Sequence, residues 1–355
     1  MSAPFDPGRD IKLYVEGRIK PEDAARQART AVEIVARLKK QPGLILADEV
    51  GMGKTFVALA SAATMHFTDP ERRPVVVMVP SSLAEKWPRD ADVFRKKCLS
   101  APWSEQFRFP ERPITRGTDF LKTLDDDVAK RNSVVFVTHG ALHRSLSDGW
   151  IRLAILRKAL HGRHGTAEIR TAIGRFAGEL LRMARAVDEE AWDGLLSRDP
   201  SEWLKYLKRN YPETAEQLAD DDPVPEHLWK ALDGDVFTGE LRNIYDCLNE
   251  IPRRESKHKS EKILQLRRDL GKHIENVWAL LKGRIDVRLP LLIFDEAHHL
   301  KNPETRLVQS LFQGSGEDVD EINGAFYGVF EKILMLTATP FQLGHHELVN
   351  VLELF

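Results

Sequence analysis

The chain has 355 residues, enough for two domains with a large buried core, and its formal net charge of −2 excludes a uniformly basic nucleic-acid-binding surface while leaving local basic patches open. Two cysteines, Cys98 and Cys247, lack metal-ligand spacing and are expected to be reduced thiols. The longest apolar runs, such as Val75 to Val79, are far too short to span a bilayer, and the opening MSAPFDPGRD lacks the apolar core of a signal peptide, so a cytoplasmic location with no membrane partner is expected.

The first predicted element is a helix over Pro21 to Leu38. Pro21 suits its first turn, Glu22 and Asp23 suit its positive end, and Gly43 follows its stop. Leu44 to Ala47 then reads as a short buried strand, and the apolar run from Phe56 opens a second helix. Between them lies DEVGMGKT, read as a phosphate-binding loop. Glycines there let backbone N–H groups close on phosphates, Lys54 reaches the β/γ oxygens, and Thr55 offers a hydroxyl to Mg²⁺. The helix N-terminus behind the loop faces the same anion. Asp48 occupies the first glycine position of the GxxxxGK[ST] pattern, so that pattern is not met in full.

Four further β-branched runs follow in chain order: VVVMVP from Val75, SVVFVTHG from Ser133, LLIFDEAHH from Leu291 and KILMLTATP from Lys332. Unbroken apolar runs each followed by a polar turn and a helical pattern predict a doubly wound parallel α/β sheet whose ligand sits at the carboxyl ends of the strands. Residues 148–285 show helical periodicity instead and are read as a large helical insertion, leaving 1–147 and 286–355 as a discontinuous sheet domain. The insertion's charge is blocked. Arginines from Arg152 to Arg185 dominate its start, Asp220, Asp221 and Asp222 mark an acidic middle, and Arg253 to Arg268 restore the positive sign. Such blocks are usually solvated helix faces; the alternative is contact with nucleic-acid phosphates.

Asp295 and Glu296 fall at the end of a buried strand. Asp295 is placed to hold Mg²⁺, directly or through water, and Glu296 to orient or deprotonate an attacking water. Thr337 and Thr339 add two hydroxyls after the next strand, at the same sheet edge.

Taken together, LADEVGMGKT, VMVPSSLAEKW, FVTHGAL, IFDEAHHLKN and LTATPFQL resemble motifs I, Ia, Ib, II and III of the Swi/Snf-like branch of superfamily 2 ATPases. The DExGxGKT form of the phosphate loop is the variant of such helicase-like ATPases, and the ATPFQLG ending is similar to that of bacterial RNA-polymerase-recycling members. The resemblance covers the sheet domain, leaves the insertion unaccounted for, and implies a RecA-like lobe. It further implies ATP and Mg²⁺ as ligands, with Glu49, Val50, Gly51, Met52, Gly53, Lys54 and Thr55 around the nucleotide and Gln27 reading the adenine edge. Lys54, Asp295 and Glu296 become the catalytic set, with Thr55 and Asp295 at the metal and His298, Thr337 and Thr339 coupling hydrolysis to movement. Ser81, Ser82 and Thr138 are expected near a nucleic-acid backbone, although each could equally cap a helix.

By this likeness the chain is expected to be the ATP-binding lobe of a DNA-dependent translocase on duplex DNA, bacterial and nucleoid-associated. It needs a second RecA-like lobe, in cis or in trans, to supply arginines to the transferring phosphoryl group. Absence of such an arginine costs about 10³ to 10⁵ in rate, so these residues alone are expected to bind ATP but hydrolyse it slowly. The insertion is a possible docking site for a protein partner. Alternatives are a strand-separating RNA or DNA helicase lobe and a non-catalytic ATP-dependent adaptor.

Overall fold

The computed structural model describes residues 3–17, 19–48, 51–124, 128, 130–141, 146, 148–181, 189–217, 223–253, 259–282, 287–297 and 328–337. Two compact units are present, residues 1–143 with 286–355 and residues 144–285.

Among the described residues the first unit is built on five strands, β1 (Gly43–Ala47), β2 (Val75–Val79), β3 (Val134–Thr138), β4 (Leu292–Phe294) and β5 (Ile333–Thr337). All pairs are parallel, in the spatial order β1-β5-β4-β2-β3. Successive side chains of a strand point to opposite faces, and burial of both faces explains why the sequence runs are unbroken. Val75, Val77, Val79, Phe136, Ile293, Leu334 and Leu336 form part of one core with the helices Pro21–Leu38, Lys54–Thr68 and Lys86–Cys98. Their neighbours Val76, Met78, Val135, Val137, Leu292, Phe294 and Met335 point the other way and are buried as well. Only edge strand β1 is less covered, with Leu44, Ile45 and Leu46 half-buried. The expected parallel α/β sheet is therefore present.

Helix positions follow from sequence periodicity. Pro21–Leu38 starts with proline in its first turn, has Glu22 and Asp23 at its positive end, and buries Ala24, Gln27, Ala31, Ile34, Val35 and Leu38 at three- and four-residue spacing. It packs on Lys54–Thr68. The latter is buried almost all round, and its alanines Ala58, Ala60, Ala62 and Ala63 allow that close packing. Lys86–Cys98 covers it in turn, placing Phe94 edge-on to Phe56 and Phe107. Phe94 is fully buried, so its truncation to Ala would cost about 3–5 kcal/mol.

The second unit is helical throughout its described residues. Its central helix, Gly149–Leu160, is capped by Asp148, whose carboxylate accepts the N–H groups of Trp150 and Ile151 at 2.9 and 3.1 Å. It is buried on every side and packed by Ala167–Leu181, Glu189–Leu196, Thr238–Asn249 and Lys259–Lys282. Basic residues of both blocks are engaged within this unit. Arg157 pairs with Asp199 at 2.6 Å, Arg170 with Asp193 at 2.7 Å, Arg253 with Glu168 at 3.0 Å, and Lys158 with Asp233. No helix among the described residues is long and apolar enough to cross a membrane.

Candidate nucleotide-binding site

The segment from Asp48 to Thr55 leaves β1 and enters the helix Lys54–Thr68. Of its members, Glu49 and Val50 lie outside the described residues, as do His298 and Thr339. Gly51 and Gly53 both take left-handed backbone, φ +88° and +86°. At Gly53 the requirement is doubled, because a Cβ would lie 2.1 Å from Nε2 and 2.6 Å from Cδ of Gln27. Gly53 also provides no side-chain cap for the helix it starts. The first-turn N–H groups have no intrahelical acceptor by helix geometry, so this terminus can accept an anion.

The lysine stands at the same place. Lys54 Nζ donates to the Asp48 carbonyl at 2.6 Å, folding the side chain back across the loop. From the helix Pro21–Leu38 two neighbouring residues hold the loop from outside. Arg26 donates to the Met52 carbonyl at 2.9 Å and pairs with the Asp48 carboxylate at 3.2 Å, and Gln27 Nε2 donates to the same Met52 carbonyl at 3.2 Å. The ion pair gives a physical account of Asp48 at the first glycine position of the GxxxxGK[ST] pattern: its carboxylate anchors the loop to the helix. Gln27 is 4% exposed, and its Oε1 has no hydrogen-bond partner. A buried acceptor left unpaired costs about 1–3 kcal/mol, so a ligand's N–H at that point would be favoured.

Asp295 follows β4 directly. Its N–H extends the ladder by donating to the Met78 carbonyl at 2.9 Å, and its carboxylate is buried. Oδ2 accepts the Trp87 indole N–H at 2.8 Å and Oδ1 accepts the Glu296 N–H at 3.0 Å. Burial pushes this carboxyl up from its ordinary value; Trp87 opposes that by donating to the charged form, and the negative charge of Glu296 adds to it. Glu296 itself has φ +57°, uncommon for a residue with a side chain, and the turn leaves it half-exposed. One carboxylate is thus buried and its neighbour half-exposed. Thr337 ends β5, buried, with its carbonyl accepting the Asp48 N–H at 3.3 Å, so the third motif's strand abuts the start of the phosphate loop.

A hydroxyl from Thr55 and a carboxylate from Asp295 form a donor set suited to Mg²⁺, which keeps most of its water and takes few protein ligands. No cluster of three or more acidic, His or Cys residues able to hold a metal occurs among the described residues.

Ser81 and Ser82 are exposed in the turn Ser81–Leu83 after β2. Thr138 differs. It is buried, its N–H and hydroxyl both directed at the Ile114 carbonyl at 2.9 and 3.4 Å, and it offers no hydroxyl at a surface. Two site residues were not assigned from sequence, Arg26 and Trp87. A tryptophan in the first turn of a helix was the available signal for the second, since a buried indole N–H almost always needs an acceptor.

Residues 27–101 match the family model described as SNF2-related domain. The chain is Swi/Snf-like over this segment. The match runs from Gln27 through the glycine-rich loop, β2 and the Ser81–Ser82 turn to Trp87 and the helix that carries it, all within the parallel α/β sheet unit. Among solved structures, the SWI2/SNF2 ATPase core domain of Sulfolobus solfataricus is similar at 14% identity over 96% of this chain and 82% of that chain, with a TM-score of 0.26. That likeness is too loose to bear on function. No curated protein matches the sequence.

Proposed function

We propose that this Swi/Snf-like chain is the ATP-binding lobe of a motor that couples ATP hydrolysis to movement along duplex DNA. The observation that carries the reading is the Lys54 ammonium folded back to the Asp48 carbonyl, beside a left-handed Gly53 that starts a helix, on a sheet whose strand β4 runs directly into Asp295 and Glu296. In the proposed cycle Lys54 leaves the Asp48 carbonyl and turns to the β/γ oxygens, exchanging a neutral acceptor for a charged one. Gln27 Oε1 accepts an N–H from the base. Thr55 and Asp295 would hold Mg²⁺, which would supply charge neutralisation at the phosphates. Glu296, half-exposed at its turn, orients and deprotonates the attacking water.

The polynucleotide contact is assigned to the exposed Ser81 and Ser82 and not to the first basic block of the insertion. Arg157, Lys158 and Arg170 are engaged in ion pairs with Asp199, Asp233 and Asp193, which supports a self-neutralised unit available for a protein partner. A second RecA-like lobe would supply the arginines that stabilise the transferring phosphoryl group, so these 355 residues turn ATP over slowly by themselves. The test is phosphate release with and without duplex DNA, alongside strand displacement, with the second lobe present and absent. Little turnover by the chain alone, DNA-stimulated turnover with a second lobe, and little unwinding are expected. Fast DNA-stimulated turnover by the chain alone, or efficient strand separation, would overturn it.

A further inference from the structure

Trp87 sits in the first turn of the helix Lys86–Cys98 with 1% of its surface exposed. Its ring packs against Phe136, centroids 6.1 Å apart. Packing alone would be served by phenylalanine. An indole has one donor and no acceptor, and here the donor is committed to Asp295 Oδ2 at 2.8 Å, a charge-assisted bond in a buried setting.

Asp295 is held at three points. Its N–H is given to the Met78 carbonyl at the end of β2, its Oδ1 accepts the next N–H in the chain, and its Oδ2 accepts from Trp87. Met78 and Trp87 belong to one short segment, which leaves the sheet beside Asp295, passes through the exposed Ser81–Leu83 turn and returns to the same residue. With one donor on each oxygen, rotation of the carboxylate about χ1 and χ2 is fixed by the fold before any ligand arrives. Each oxygen still has an acceptor position left, since a carboxylate offers about four lone-pair sites. A carboxylate without the indole tie would keep only the Glu296 N–H at its other oxygen and would sample other rotamers.

We propose that Trp87 is a positioning residue for the Asp295 carboxylate, holding it preorganised for the Mg²⁺ of a bound nucleotide. The proposal rests on the assignment of Asp295 to that cation given under the proposed function. Such second-layer partners of a metal-holding carboxylate typically change metal affinity by about 10- to 100-fold when removed.

The seven tryptophans give seven indole N–H cross-peaks in a ¹H–¹⁵N spectrum of the whole chain. Asp295→Asn, which keeps the shape and removes the charge, is expected to move one of them well beyond its line width, and Trp87→Phe to delete that same one. The same cross-peak is expected to move when Mg²⁺ is added with a non-hydrolysable ATP analogue. In calorimetry Trp87→Phe should raise the Mg²⁺ concentration needed at fixed analogue about tenfold, while affinity for the analogue in EDTA stays unchanged. If no indole cross-peak responds to Asp295→Asn, the tie is absent in solution and the proposal falls, a result that does not depend on Trp87→Phe folding. Unaltered Mg²⁺ dependence in a folded Trp87→Phe chain overturns it as well. If Asp295→Asn moves the cross-peak but analogue and Mg²⁺ leave every signal unchanged, the tie stands and the nucleotide reading is what fails.

Discussion

Gly53→Ala is the substitution whose cost the structure specifies most fully. Two terms act. Left-handed backbone costs an L-residue about 1–2 kcal/mol, of which about 0.4–1 is offset because alanine narrows the unfolded ensemble. The second term is steric: the new Cβ would overlap Gln27 at 2.1 Å from Nε2, and Gln27, buried against the loop, must leave its bond to the Met52 carbonyl. The Met52 carbonyl keeps its bond from Arg26, but the buried Gln27 amide loses its acceptor, which costs about 1–2 kcal/mol. Gly51 isolates the first term, since it has the same hand, φ +88°, and nothing within 4 Å of its Cβ position. Gly51→Ala should therefore lose about 0.5–1 kcal/mol and Gly53→Ala about 2–3 kcal/mol. Urea unfolding of both single variants, of Gln27→Ala and of Gly53→Ala/Gln27→Ala closes a double-mutant cycle. A coupling energy of about 1–2 kcal/mol is expected, because removing the glutamine makes room for the methyl group. Equal losses at Gly51 and Gly53, or a coupling of zero, would refute the contact between Gln27 and the phosphate loop.

Other consequences are open to direct measurement. His66 is buried with Nδ1 bonded to the Arg73 carbonyl at 3.0 Å, and burial pushes its pKa down to about 4. From the ordinary value near 6.5 downward, the unfolded chain takes a proton that the folded chain refuses. Stability is therefore full above pH 6.5 and falls by about 3 kcal/mol as pH drops towards 4; His66→Gln should flatten that part of the urea-midpoint profile, and an identical slope in the variant would contradict the assignment. Burial pushes the Cys98 thiol up to about 12 and also raises Cys247, so the native chain should show no fast-reacting thiol towards a disulfide reagent at pH 8 and two on unfolding; one rapid equivalent in the native state would be the contrary result. Glu296 occupies left-handed backbone that asparagine tolerates better. Glu296→Asn should hold or gain about 0.5–1 kcal/mol while abolishing hydrolysis in the two-lobed enzyme, and a clear loss of thermal stability would argue against strain at this turn.

The parts of the fold that announce themselves in sequence are those governed by local periodicity. All five strands appear as unbroken apolar runs, and the four beyond edge strand β1 are covered on both faces of the sheet; the helix Pro21–Leu38 has its proline, acidic first turn and apolar stripe where physics requires them. The phosphate loop is legible for the same reason, since its glycines, lysine and threonine act within one turn of chain. What could not be read is pairing over distance. Trp87 meets Asp295 across 208 residues, and nothing in the segment around Trp87 names its acceptor. Arg26 looks like one more charged residue on a helix until Asp48, 22 residues on, is placed beside it. Charge blocks are ambiguous for the same reason: the arginine-rich start of the insertion leaves phosphate contact open as an alternative to a solvated face, yet Lys158 reaches Asp233 over 75 residues and Arg170 reaches Asp193 over 23. Thr138 sits at a strand end just as Ser81 and Ser82 follow one, but the Ile114 segment, paired alongside Val137, covers it. Strand-end position was visible in the sequence and that cover was not.

The central claim is that Lys54 and the loop around it bind the phosphates of ATP with Mg²⁺. Isothermal calorimetry with a non-hydrolysable ATP analogue in Mg²⁺ addresses it directly, on the parent chain and on Lys54→Ala and Glu296→Gln. One site per chain is expected, weakened at least about tenfold, or about 1.4 kcal/mol, by loss of the lysine charge and left nearly unchanged by Glu296→Gln, whose carboxylate acts on water and not on the nucleotide. No binding by the parent chain, or equal affinity in the parent and Lys54→Ala, would contradict it.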